Sequence, residues 1–283
     1  MLKSEEIKAL VQLLDDEDLE VINHVEDKIR SIGTQIIPFL EEEWETNFNP
    51  VVQEKIEDLI HELQFELLQE RLLDWKEAGA ENLLEGLWIV ATYQYPDLEL
   101  EELAKEIEQL YYELWRQFQD EMSPYDQIKV FNEVFFNTFK FRANSKNFHS
   151  PANSMINAVL ESKKGNPISL CSIYMLLAQK MDLPIYGVNL PNLFILTYKL
   201  GEKSFYINVF NRGLIFTKED IDNYLENLQL EKQDIFYEPC NNLDIVFRAL
   251  RNLIVSFEKL GDYHKSDEMK IILQKMDDQY FSL

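Results

Sequence analysis

Through the first 180 residues the apolar positions recur every three to four places, the spacing of a helix that buries one face. Ile7, Leu10, Val11 and Leu14 make one such stripe, and Leu19, Val21, Ile22, Val25 and Ile29 make a second that stops at Gly33. Thr34 opens a third, with Ile36, Ile37, Phe39 and Leu40 inward. Asn49-Pro50 pairs a cap residue with proline at the first helical position, and predicts a helix to about Lys76. Two further helices are expected over 81–93 and 98–118, with the aromatic cluster 111–115 as packing core. Ser123-Pro124 repeats the cap-and-proline signal ahead of Ile128, Phe131, Val134, Phe135 and Phe139. A polar loop over 142–149 then leads through Ser150-Pro151 to a helix that ends at Lys163-Lys164-Gly165. Asn166-Pro167 opens the next, which runs to about Met181.

From Pro184 the period changes to two. Three strands are predicted over 184–190, 193–199 and 204–210, with turns at Pro191-Asn192 and near Gly201. Helices on one side of a small antiparallel sheet make an α+β unit, mostly helical. Helix returns at Thr217, whose spacing to Asp220 is that of a capping box, and again from Asn241, with a corner at Leu260-Gly261-Asp262-Tyr263.

With 46% hydrophobic and 12% aromatic residues, the 283-residue chain is globular and long enough for more than one folding unit. Charge adds a division. Nearly all of the formal net charge of −24 falls in residues 1–120, and the remainder is close to neutral. We therefore expect segments 1–120, 121–240 and 241–283. So acidic a half repels phosphate backbones, which argues against nucleic-acid binding; a protein or peptide partner is open to it. Acidic runs at 15–18 and 41–43 lack the residue types and spacing of a calcium loop. Cys171 and Cys240, the two cysteines, form neither a disulfide framework nor a CxxC pair. No metal and no cofactor is expected. The first residues lack an apolar signal core and no apolar run reaches membrane-spanning length, so the expectation is a cytoplasmic protein with no membrane contact.

One stretch offers chemistry. Gly165-Asn166-Pro167 opens an apolar helix with Cys171 read into its first turn. Free N–H groups and the helix dipole favour a thiolate there, which primes a nucleophile. A buried cysteine is equally a small hydrophobe. His149, ahead of this helix, is the one histidine that could substitute as a base, and a polar loop histidine is the favoured reading of it.

Residues 150–213 resemble the SirB-type branch of the transglutaminase-like superfamily, whose core is papain-like. The resemblance lies in Asn153-Ser154-Met155-Ile156-Asn157, Lys164-Gly165-Asn166-Pro167-Ile168-Ser169-Leu170, Gly187-Val188-Asn189-Leu190-Pro191 and Tyr206-Ile207-Asn208-Val209-Phe210-Asn211-Arg212-Gly213. The C-terminal segment is similar to a tetratricopeptide-like hairpin, and "LLDDEDLEVINHVEDKIRSIG" resembles a HEAT-type repeat. The family's enzymes use Cys, His and Asp, a thiolate attacking a carbonyl with an oriented imidazole as proton carrier. The resemblance puts Cys171 at the nucleophile, Leu193 at the base and Asn208 at the orienting acid. Leucine cannot accept a proton. The resemblance therefore implies a catalytically degenerate bacterial protein whose cleft, near Cys171, Asn192 and Asn208 and lined by Asn166 and Leu193, binds a peptide or protein segment, or nothing. Two rivals stand beside it: a cysteine acyltransferase or peptidase with a rearranged base, and a scaffold working through its acidic helices.

Overall fold

The computed structural model of the chain describes residues 4–119, 121–201 and 203–277, so residue 120, where the charge changes, lies outside them. Two compact units are present, one reaching to Arg71 and the other starting at Leu72.

The first unit contains α1 (Ser4–Gln12), α2 (Leu19–Ile32), a 3₁₀ turn (Gly33–Ile36), α3 (Ile37–Thr46) and most of α4 (Pro50–Glu77). Asp18 caps α2 by accepting from the Glu20 N–H (2.9 Å), and Gly33 ends it at φ 75°. The Asn49 side chain caps α4 through the Val51 N–H (3.0 Å). Ile7, Val11, Val25, Ile29, Leu40 and Ile56 close into one core. Leu19, expected inward, is 72% exposed because it occupies the first helical position, on the side away from that core. The helix expected from Thr34 begins as a 3₁₀ turn and becomes α-helical at Ile37.

The second unit begins in the last turns of α4. It continues with α5 (Leu83–Thr92) and α6 (Leu100–Trp115), then α7 (Pro124–Glu133), which runs on as a π-helix (Val134–Thr138). Next come β1 (Arg142–Ala143), a 3₁₀ turn (Pro151–Ser154), α8 (Ile156–Ser162), β2 (Lys164–Gly165) and α9 (Pro167–Lys180). The sheet follows as β3 (Ile185–Leu190), β4 (Leu193–Leu200), β5 (Lys203–Asn208) and β6 (Leu214–Phe216). Helices α10 (Lys218–Asn227), α11 (Asn242–Leu260) and α12 (Tyr263–Met276) complete it.

The mostly helical α+β class read from the sequence is the observed one. The sheet is antiparallel in the order β3-β4-β5-β6. Register pairs Leu190 with Leu193 across a tight turn and Leu196 with Ile207. Ten residues of α9, from Ile168 to Ala178, are buried, so this helix is wrapped on all sides and packs on β3, β4, α6 and α11. Its Tyr174 ring lies 3.9 Å from Phe131 of α7, and its hydroxyl donates to Asn132 (3.1 Å). The two sheet faces differ. Val188, Leu190, Ile195 and Tyr206 cover Ile221 and Leu225 of α10. Gly187 and Phe194 lie on the opposite face, beside Cys240.

Several expectations are corrected. The helix after Ser150-Pro151 is a 3₁₀ turn and a short α8, ending at Lys163, whose φ of 57° fills the left-handed role given to Gly165. The third strand ends at Asn208, where a 3₁₀ turn takes over, and a fourth, β6, follows. In the cluster 111–115, Tyr112 and Trp115 are more than half exposed, because only Leu110 and Leu114 of that turn face the core.

Candidate functional site

The start of α9 is built by side chains that close on the backbone. The Asn166 Oδ1 accepts from the Ser169 N–H (3.0 Å), while Ser169 Oγ accepts from the Asn166 N–H (3.1 Å), a reciprocal capping box. Asn166 Nδ2 donates to Ser154 Oγ (2.8 Å), tying the helix start to the 3₁₀ turn before α8. Pro167, at the first helical position, has no N–H to satisfy. Gly165 is required for a steric reason: a Cβ there would come 2.4 Å from Ser169 Oγ.

Cys171 is the fifth residue of α9, not a member of its first turn, because the helix begins at Pro167. The orphan amides therefore lie upstream of it: Pro167 has none, and those of Ser169 and Leu170 are taken by the Asn166 side chain and carbonyl. The side chain is fully buried. Its thiol donates to the Phe194 carbonyl (3.5 Å). Burial drives its pKa well above the ordinary thiol value, only partly opposed by the Val209 backbone N–H. Cys240 is likewise pushed up to about 12 by burial.

The other two residues that the resemblance puts at triad positions point elsewhere. Leu193 packs with the α10-side cluster, on the face of the sheet opposite Phe194. Asn208 is buried and its Oδ1 accepts from the Asn211 N–H (3.0 Å), capping the turn that ends β5. Cys171, Leu193 and Asn208 thus serve a helix, a sheet face and a turn.

A cleft of about 300 Å³ opens at the start of α9. Asn166 and Asn192 line it, together with His149; Cys171 is not among its lining residues. Phe148, Phe194 and Val255 supply apolar walls, and Arg248, Asn252 and Ser256 of α11 a polar one. The buried Asn153 holds the loop that carries Phe148 and His149. Its Nδ2 donates to the carbonyls of Asn147 (2.7 Å) and Phe148 (2.9 Å), and its Oδ1 accepts from Asn144 (2.8 Å). His149 is exposed and meets Phe148 edge to face (5.2 Å). Asn192 sits in the β3–β4 turn at φ 57°, a conformation asparagine tolerates.

The cleft can hold a ligand by shape, amide hydrogen bonds and one guanidinium, but it presents no thiol. Sequence reasoning gave Arg248, Asn252 and Asn153 no role. The signal for Arg248 was present, a cation inside the apolar stripe Val246, Phe247, Ala249, Leu250, but its partner strand is some sixty positions away.

Comparison with known proteins agrees with this architecture. The model of the transglutaminase-like superfamily matches residues 101–251, more than half of the chain. A UPF0162 protein of Xylella fastidiosa is 28% identical over 178 residues, covering 60% of this chain and 63% of that protein. A UPF0162 protein of Vibrio cholerae is 27% identical over 141 residues, 50% of this chain and 52% of its own length. F-box only protein 21 of Homo sapiens is 24% identical over 164 residues, 55% of this chain and 25% of its own. The chain thus spans less than two thirds of the length of these curated relatives. No solved structure matches it. The match from α6 through the sheet into α11 identifies the chain as a member of the transglutaminase-like superfamily.

Proposed function

We propose that this chain is a catalytically degenerate transglutaminase-like protein of the SirB type, in which the cleft at the start of α9 binds a peptide or protein segment and Cys171 serves the core. The observation that carries this reading is the Cys171 thiol itself: fully buried, donating to the Phe194 carbonyl, and outside the lining of the cleft. Nucleophilic chemistry requires a thiolate within reach of substrate and an imidazole within hydrogen-bond distance. Here Leu193 stands at the base position and faces the other side of the sheet.

The same reading holds the segments 1–120 and 241–283 to be HEAT-like and tetratricopeptide-like, in a bacterial cytoplasmic protein. The UPF0162 relatives from Xylella and Vibrio support the bacterial setting. Among the described residues no helix is long and apolar enough to cross a membrane.

The test pairs chemistry with binding. Peptide thioesters and glutamine-containing peptides incubated with the protein should leave Cys171 unmodified by mass spectrometry. A covalent adduct at Cys171 that disappears in Cys171→Ala would overturn the reading in favour of a cysteine acyltransferase. Peptides selected on the wild type should lose binding to Val255→Glu, which fills the cleft mouth, and keep it in Cys171→Ala.

A further inference from the structure

Arg248 is a cation without a carboxylate in a chain of 51 acidic and 27 basic residues. It is half-buried on α11 and lines the cleft. Its Nη1 donates to Asn189 Oδ1 (3.1 Å) and to the Leu190 carbonyl (3.5 Å), both neutral. Among the described residues no carboxylate acts on it; the Tyr224 phenol is the one acidic group that favours its charge, and Arg251 nearby adds repulsion. Burying part of a charge without a counter-ion is costly, so such an arrangement favours an anion from outside. Fixing Nη1 on β3 also sets the plane of the guanidinium, and among the described residues the Nε–Nη2 edge has no acceptor.

The surroundings define the anion. Among the described residues no Asp or Glu lines the cleft. Asn166, Pro167 and Ile168 present the positive end of the α9 dipole to it. Asn252 and Asn192 add neutral polar groups, and Phe148, Phe194 and Val255 offer an apolar bed. The planar two-donor edge fits a carboxylate or a phosphate group, and the single charge of a carboxylate balances the one permanent cation of the cleft, His149 being the other titratable group in its lining. The net charge of −24 also disfavours polyanions.

We infer that Arg248 anchors the carboxylate of a peptide seated in this cleft, with an apolar side chain against Phe148, Phe194 and Val255. This rests on the reading of the cleft as a peptide-binding site and names the group that it recognises.

The experiment titrates the full chain and follows the Arg248 Nε–H and the Ile168 N–H by NMR. Phenylacetate should shift both, and phenylacetamide, its neutral counterpart, should bind at least about tenfold more weakly. Arg248→Met should lose that discrimination, and Arg248→Lys should retain part of it with the fold intact. Three further probes locate the carboxylate. They are Ala-Ala-Phe as free acid, the same peptide as amide, and acetyl-Ala-Glu-Phe-amide. Binding of the first alone assigns a C-terminal carboxylate, and binding of the third an acidic side chain. Phenyl phosphate binding more tightly than phenylacetate would overturn the carboxylate assignment. If acids and amides shift the cleft resonances equally, the inference fails while the peptide-binding reading stands. If no peptide shifts them, both fail.

Discussion

The Cys171 thiol donates to the main-chain carbonyl of Phe194 across 3.5 Å, from the buried side of a helix whose open end borders a cleft. Helix and strand are thereby joined by a polar contact inside the core. A thiol with this partner gains from being protonated, and burial acts in the same direction.

Alkylation should reflect that. Native protein treated with iodoacetamide at pH 8 should keep Cys171 intact over a period that fully labels unfolded protein, as read by mass spectrometry. Stability carries the same signature. A thiol whose pKa is raised by folding contributes fully below its ordinary value of 9.0 and loses that contribution as pH rises above it. The stability advantage of the wild type over Cys171→Ala should therefore be constant to about pH 9 and decline beyond it. Tyr174, pushed up by burial and further by Cys171, titrates in both proteins, and only its coupling to the thiol, which acts in the same direction, remains in the difference. An advantage independent of pH up to the unfolding limit would contradict the buried, protonated thiol.

Gly165 and Ser169 form a second testable pair. A methyl group on Gly165 would lie 2.4 Å from Ser169 Oγ and 3.0 Å from a Val159 methyl. Gly165→Ala should destabilise by about 1–3 kcal/mol in chemical denaturation, the range for overpacking. Ser169→Ala alone loses half of the capping box and should cost about 1 kcal/mol. The double variant should be less destabilised than the sum, because removing the hydroxyl makes room for the methyl. Strict additivity would show that Val159 rather than Ser169 sets the limit.

Asn166 carries two loads that different substitutions separate. Asn166→Ala removes the cap on Ser169 and the donor to Ser154, both buried, and should cost about 2–3 kcal/mol. Asn166→Asp keeps the cap and places a negative charge at a helix N-terminus, while the Ser154 hydroxyl can turn to donate. It should be milder by about 1 kcal/mol near neutral pH, with the difference shrinking as acid protonates the carboxylate. Equal losses in both variants would mean that the Ser154 contact dominates.

How much of this was visible in the sequence depends on how local each signal is. Asn49-Pro50, Ser123-Pro124, Asn166-Pro167 and Thr217 with Asp220 are contained within four residues, and each opens a helix as read. The alternating runs ending at Leu190 and starting at Leu193, with Pro191-Asn192 between them, marked the two strands and the turn of the β3–β4 hairpin. β6 spans only three residues, and Arg212 and Gly213 before it both adopt positive φ, so alternation had no length in which to appear. The pairing of β1 with β2 joins two residues to two others about twenty positions away. The position of Cys171 in α9 turned on which residue starts the helix, a matter of one turn. The cleft was least legible. Arg248 reaches Asn189 only through the packing of α11 on β3, and Asn153 recognises carbonyls five and six residues back.

That Asn153 arrangement predicts a mobility change. Three hydrogen bonds hold the loop 144–148, two of them from one amide group to main-chain carbonyls. Asn153→Ala should leave both carbonyls and Asn144 without these partners, at a cost of about 1–3 kcal/mol. Amide hydrogen exchange in 144–150 should accelerate more than in α9. Uniform acceleration across the second unit would place Asn153 in the global core rather than in the loop.

The last expectation concerns the base position of the proposed reading. Leu193→His puts a histidine where the resemblance places the base, and tests whether an imidazole there can reach the thiol. The alternation of β4 places residue 193 with Ile195, Ile221 and Leu225, while Phe194 faces Gly187 on the other side. An imidazole introduced there would meet the α10 cluster and the Tyr224 ring rather than the Cys171 sulfur. Burying part of a polar ring in an apolar cluster should cost about 1–3 kcal/mol, more below pH 6 where the charged form is favoured in the unfolded chain. Cys171 alkylation should stay as slow as in the wild type at every pH. A labelling rate that rises through an imidazole-like pKa near 6.5 would show instead that strand and helix can bring the two groups together. In that case the thiol's contact with Phe194 is a resting state of a recoverable nucleophile, and the degenerate reading would give way.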